Sequence, residues 1–103
     1  MRESVIEHYL VQRAKELGGE VRKVKWIGRN GAPDRLVMLP PKTEECPQYG
    51  AVSRGDNRTI WVELKAPGEK CKPHQQREHE RMRRMGQRVE VVDSIERVDE
   101  VLG

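Results

Sequence analysis

The run from Ile60 to Lys65 constrains the fold more than any other stretch. Its side chains alternate, with Ile60, Val62 and Leu64 on one face and Trp61, Glu63 and Lys65 on the other. A period of two is the signature of a β-strand that lays one face on a core. Such a strand needs partners along its edges and a layer over its apolar side. The same geometry sets Glu63 beside Lys65, pointing the same way. Upstream, the apolar run Leu36 to Leu39 follows Pro33-Asp34 directly. If the two strands pair, Asp34 joins Glu63 and Lys65, and two carboxylates meet one ammonium. Hard cations such as Mg²⁺ take oxygen ligands, commonly one or two carboxylates completed by water and phosphate. A lysine there can orient or help deprotonate an attacking water, or neutralise charge developing on the phosphate. The plain alternative is a strand end carrying a solvated ion pair.

The chain has 103 residues, so a single domain spanning 1–103 is expected, with one modest core. Only 35% of it is hydrophobic and it has no Phe, so that core is built from Val, Leu and Ile. No apolar run approaches the length of a membrane span, and Met1-Arg2-Glu3-Ser4 lacks the plan of a signal peptide. A cytosolic protein without membrane association is expected. Cys46 and Cys71 lack the Cys-x-x-Cys spacing and are expected to be free thiols. His8, His74 and His79 are scattered, and His79 reads as the surface of a solvent-facing helix.

The net charge of +3 conceals sorting. Bases outnumber acids from Glu20 to Arg35 and again from Lys72 to Arg88, whereas acids dominate from Val89 to the end. Basic clusters on a small domain suit a phosphate backbone, although a solvated helix face has the same composition. The candidate phosphate contacts are Lys25, Arg29, Arg77, Arg81 and Arg84, with His74 as a further residue able to touch substrate.

Taken in order, Ser4 to Leu17 reads as an amphipathic helix whose arc of Ile6, Leu10, Ala14 and Leu17 carries Glu7 on its flank. Glu20 to Ile27 reads as a strand near an edge, followed by the turn Gly28 to Gly31. Leu36 to Leu39 is the second strand. Residues 42–58 show no periodicity and read as a surface loop. After the strand ending at Lys65, Pro67-Gly68 breaks the chain. Pro73 then opens a largely polar helix running to about Met85 and stopped by Gly86. Arg88 to Val92 is a fourth strand, and Ser94 caps a short last helix reaching Leu102. The order is α-β-β-β-α-β-α, an α/β or α+β sheet with helices against it, and α/β is the class expected.

These residues resemble the PD-(D/E)xK nuclease superfamily, and within it the VRR-NUC (virus-type replication-repair nuclease) family. The resemblance rests on Glu7, Gly31-Ala32-Pro33-Asp34, Glu63-Leu64-Lys65 with Pro67-Gly68, and Gln75, followed by Gly86 and the run Val89 to Val92. It covers nearly the whole chain, and the stretch 42–58 is longer than the family's usual link. It implies a restriction-endonuclease-like core, a small mixed sheet flanked by helices, and metal-dependent cleavage of DNA. By the same resemblance, Asp34, Glu63 and the backbone carbonyl of Leu64 are the ligands of Mg²⁺ or Mn²⁺, and no small-molecule cofactor is expected. Lys65 positions the attacking water. Glu7 serves a second metal or its water, and Gln75 steadies the site or the scissile phosphate. Free-standing members of the family act as dimers on branched DNA, so a homodimer acting on four-way junctions, in a bacterial or phage-infected cell, is the implied form. A non-catalytic DNA-binding protein and a protein-interaction domain with an acidic tail are the competing readings.

Overall fold

The structure is a computed structural model that describes residues 2–41, 43–46, 48, 50–53 and 58–103, with the backbone path alone in 43–46 and 50–53. Its elements are α1 (Glu3–Glu16), β1 (Glu20–Lys23), β2 (Arg35–Met38), β3 (Thr43–Cys46), β4 (Gly50–Ser53), β5 (Thr59–Leu64), α2 (Pro73–Arg84), β6 (Val89–Val92) and α3 (Ile95–Leu102). The main sheet has the order β1-β2-β5-β6. β1 and β5 flank β2 antiparallel, and β6 lies parallel to β5 after the crossover through α2. This is the mixed sheet flanked by helices that the family resemblance implies.

The two faces of β5 divide the molecule. Ile60, Val62 and Leu64 are buried with Val37 and Val92 beneath α1 and α3, which supply Ile6, Leu10, Ala14, Val98, Val101 and Leu102. That is the aliphatic core, and the arc expected of α1 faces it. Ser94 caps α3 by accepting from the Arg97 amide at 3.0 Å. The opposite face of β5, carrying Trp61 and Glu63, lies under α2, whose buried residues are Glu78, His79 and Met82.

Two expectations need correction. The strand expected over Glu20 to Ile27 ends at Lys23. Its register runs Lys23 opposite Arg35, and the Val24 amide still donates to the Asp34 carbonyl at 2.9 Å. The next partner would be Pro33, which has no N–H to donate, so the ladder stops there. Within 42–58, expected to be a loop, β3 and β4 form an antiparallel hairpin with Thr43 opposite Ser53 and Cys46 opposite Gly50. The pair is a sheet separate from the main one, so its register is not set by any strand whose pattern the sequence displays. Residues 42, 47, 49 and 54–57, and the Cys46 thiol, lie outside the described residues. Cys71 is a free thiol, as expected.

Candidate active site

The pairing of β2 with β5 sets Arg35 opposite Val62 and Leu36 opposite Trp61. One further step brings Asp34 across from Glu63. Residues directly opposite in an antiparallel pair project from the same face, with β-carbons roughly 5 Å apart. Lys65 follows on that face, its amide donating to the Val92 carbonyl at 2.9 Å so that the β5–β6 ladder continues past Leu64. Asp34, Glu63 and Lys65 therefore converge where β2 begins and β5 ends.

Glu63 is 9% exposed, and burial pushes its carboxyl up to about 7. Lys65 pulls it down, while the negative charge of Asp34 adds to the rise. A buried carboxylate whose nearest ammonium does not offset its desolvation is electrostatically short of positive charge. The oxygen-only donor set of Asp34, Glu63 and the Leu64 carbonyl fits a hard divalent cation that keeps water or phosphate in its other positions. Among the described residues, no three His, Cys, Asp or Glu side chains form a cluster able to hold a metal. A cation here would thus rest on two protein carboxylates.

The first turn of α2 holds the lysine. Lys65 Nζ donates to Gln75 Oε1 at 3.0 Å, and the same oxygen accepts from the Lys72 amide at 2.9 Å. Gln75 thereby caps the helix and anchors Lys65 with one atom. Gly31 makes this approach possible. Its φ is +88°, and a β-carbon there would stand 2.9 Å from the His74 carbonyl oxygen. The Gly-Ala-Pro-Asp turn therefore lies directly against the start of α2.

Glu7 is placed next to the site through an intermediary. Arg35 reaches Glu7 Oε2 at 3.1 Å and Asp34 Oδ2 at 3.0 Å, and Lys23 lies 3.6 Å from Glu7 Oε1. The Arg35 hydrogen bond holds the Glu7 carboxyl below the usual carboxylate range, with help from Lys23. Among the other candidates, Arg77, Arg81 and Arg84 line one shallow groove with Pro73, Gln76 and Glu80 along α2. Lys25 is exposed beyond the end of β1, Arg29 lies 3.7 Å from Glu78, and His74 is half-buried in the first turn of α2.

A comparison with known proteins decides the family. A phage protein named "Putative nuclease p44", from Acyrthosiphon pisum secondary endosymbiont phage 1, is 42% identical over 94 residues, covering 91% of this chain and 85% of the relative. A solved structure described as a VRR_NUC domain superposes with a TM-score of 0.74 at 40% identity, covering 97% of this chain and 92% of that one. The chain belongs to the VRR-NUC family. No family model matches it. The sheet and helices agree with the VRR-NUC fold that the motif residues imply.

Three further residues beside the candidate site of this VRR-NUC chain escape a sequence reading. Arg35 bridges Asp34 and Glu7 across the sheet edge, and two charged neighbours give no advance sign of that. His79, expected on the surface, is 1% exposed, with Nε2 3.5 Å from Glu63 Oε1. Burial, with Arg83 and Lys65 nearby, lowers its pKa and keeps the ring neutral, so this contact is not an ion pair. Its Nε2 has no hydrogen-bond partner, and the ring is hydrogen-bonded to the Gly31 backbone. Glu78 is 4% exposed and accepts from Arg81 at 2.8 and 3.0 Å. A signal was present. Gln75, Glu78, His79 and Met82 share the i, i+3, i+4, i+7 stripe that faces a sheet, concealed because three of the four are polar.

Proposed function

We propose that this VRR-NUC protein is a divalent-metal-dependent deoxyribonuclease that cuts branched DNA such as four-way junctions. The observation that carries the reading is the convergence of Asp34, Glu63 and Lys65 on one sheet face, with Glu63 buried and short of positive charge. Asp34, Glu63 and the Leu64 carbonyl would hold Mg²⁺ or Mn²⁺, which would supply Lewis-acid stabilisation of the phosphate. Lys65, steadied by Gln75, presents its ammonium to the attacking water and to the charge growing on the phosphate. Arg35 keeps the Asp34 carboxylate oriented, and Glu7 acts by fixing Arg35 and by serving a second cation or its water. Lys25, Arg29, His74, Arg77, Arg81 and Arg84 hold the strands by their phosphates. The intact acid-acid-lysine set favours an enzyme over a non-catalytic binder. The phage relative supports action on DNA in the cytoplasm of a bacterial or phage-infected cell; among the described residues no helix is long and apolar enough to cross a membrane.

The test is incubation with labelled duplex, flap, single strand and four-way junction in Mg²⁺, Mn²⁺ or chelator. Cleavage of branched substrates is expected with either metal and none with chelator. Asp34→Asn and Glu63→Gln should each abolish cutting, by at least about a hundredfold, while DNA binding persists. Cutting by either variant at the parental rate overturns the assignment. Two opposed cuts on a junction call for two active sites, so light scattering should give the mass of a homodimer; a monomer that retains junction cleavage refutes that part.

A further inference from the structure

Both tryptophans of the chain stand on the active-site side of the sheet, outside the aliphatic core. Their ring centroids are 5.1 Å apart with the planes tilted by 47°. With Arg29, Met82 and Met85 they line a groove of about 310 Å³. Met85 is 69% exposed at its rim, and Met82 closes its floor at 4% exposure. The groove is tied to the site at both ends. Trp26 Nε1 donates to the Pro33 carbonyl at 2.7 Å, one residue before Asp34. Trp61 lies two residues before Glu63 on the same strand face, about 7 Å along β5.

We propose that this groove receives an unpaired nucleobase from the strand whose phosphate lies at Asp34 and Glu63. Three observations favour that occupant. The volume lies at the small end of ligand pockets, suits one flat ring system, and excludes a duplex. Indole faces and thioethers take up any base without regard to sequence. Arg29 lines the groove 3.7 Å from Glu78, and Arg81, outside the lining, pairs with the same carboxylate at 2.8 Å, so Glu78 is neutralised and the local charge suits a phosphodiester more than an apolar helix. The substrate class follows: DNA with unpaired nucleotides beside the cut, as at a flap, a gap or the crossover of a junction. The inference rests on the nuclease reading, and its test separates the two.

Because the only two tryptophans line the groove, their emission reports its occupancy directly. The full-length protein is titrated in chelator with a short oligodeoxythymidylate, the same strand carrying an abasic position, and a blunt duplex, with anisotropy of labelled DNA followed in parallel. The oligothymidylate should quench the emission, the blunt duplex should not, and the abasic strand should bind about five- to a hundredfold more weakly. Met85→Glu, at an exposed position, should keep the fold and remove the quenching. If the strand binds by anisotropy with unchanged emission, the groove is not a base site, even where cleavage in Mg²⁺ upholds the nuclease reading. Quenching without cleavage in any metal upholds the groove and defeats the nuclease reading. An emission change that follows protein concentration without DNA, and is lost in Met85→Glu, marks the groove as a self-contact and overturns the proposal.

Discussion

Glu63 shows how a residue placed for the proposed chemistry carries a cost in stability. Its carboxyl is pushed to about 7 by burial, with Asp34 contributing, against a usual value of 4.5. In cation-free protein the folded state therefore holds this proton more tightly than the unfolded chain does. The resulting stability is fully present below about pH 4.5 and is lost as pH rises through about 7. Glu63→Gln removes the titrating group and keeps the shape. In chelator the variant should be more stable than the parent at pH 8, by about 1–3 kcal/mol, and the gap should shrink toward pH 5. Thermal unfolding at the two pH values measures it; a gap that is the same at both would show that Glu63 is not the group responsible. The placement of Glu63, Lys65 and Asp34 on one sheet face was legible because strand alternation and a short motif sufficed to find it. His79 and Glu78 were not, since their burial depends on α2 lying across Glu63 and on the Arg81 guanidinium compensating Glu78.

The elements α1, β5, α2 and α3 are legible because each has its own local signal: an apolar arc, an alternation, Pro73 at a helix start, Ser94 at a cap. The end of β1 and the β3–β4 hairpin are not, because one depends on which residue of β2 stands opposite and the other pairs only with itself, apart from the main sheet. Gly31 links these two kinds of information. Its +88° φ is a turn property readable from the glycine, while its closeness to the His74 carbonyl is a tertiary one. Gly31→Ala adds both backbone strain and a contact that neither main chain can relieve by rotating a side chain. It should destabilise the fold by about 1–3 kcal/mol. The larger consequence is expected in cleavage, since moving the first turn of α2 shifts Gln75 and with it Lys65. Cleavage rates measured well below the unfolding midpoint, beside thermal unfolding, separate the two effects. An active variant that is merely less stable would show that α2 does not position the lysine.

At the scale of the whole molecule, the sheet separates two electrostatic surfaces. α2 brings Arg77, Arg81 and Arg84 to the side carrying Glu63 and Lys65, whereas α3, packed with α1 on the other side, carries Glu96, Asp99 and Glu100. The net charge of +3 understates this polarity, because the two surfaces partly cancel in the sum. Duplex DNA responds to the local field, and each phosphate neutralised releases condensed counterion, so log affinity falls linearly with log salt by about 0.9 per contact. Arg77→Ala and Arg84→Ala, measured in chelator to exclude cutting, should each weaken binding and reduce that slope by about 0.9. Arg81 is the poorer probe, because its removal also strips the buried Glu78 of its closest partner. Glu96→Gln serves as the control: it changes net charge by one unit in the opposite sense, on the opposite surface, and should leave the slope unaltered. If the arginine variants weakened binding and Glu96→Gln strengthened it to the same extent, with no change in slope, DNA would be responding to overall charge, and the α2 face would lose its assignment as the strand-holding surface.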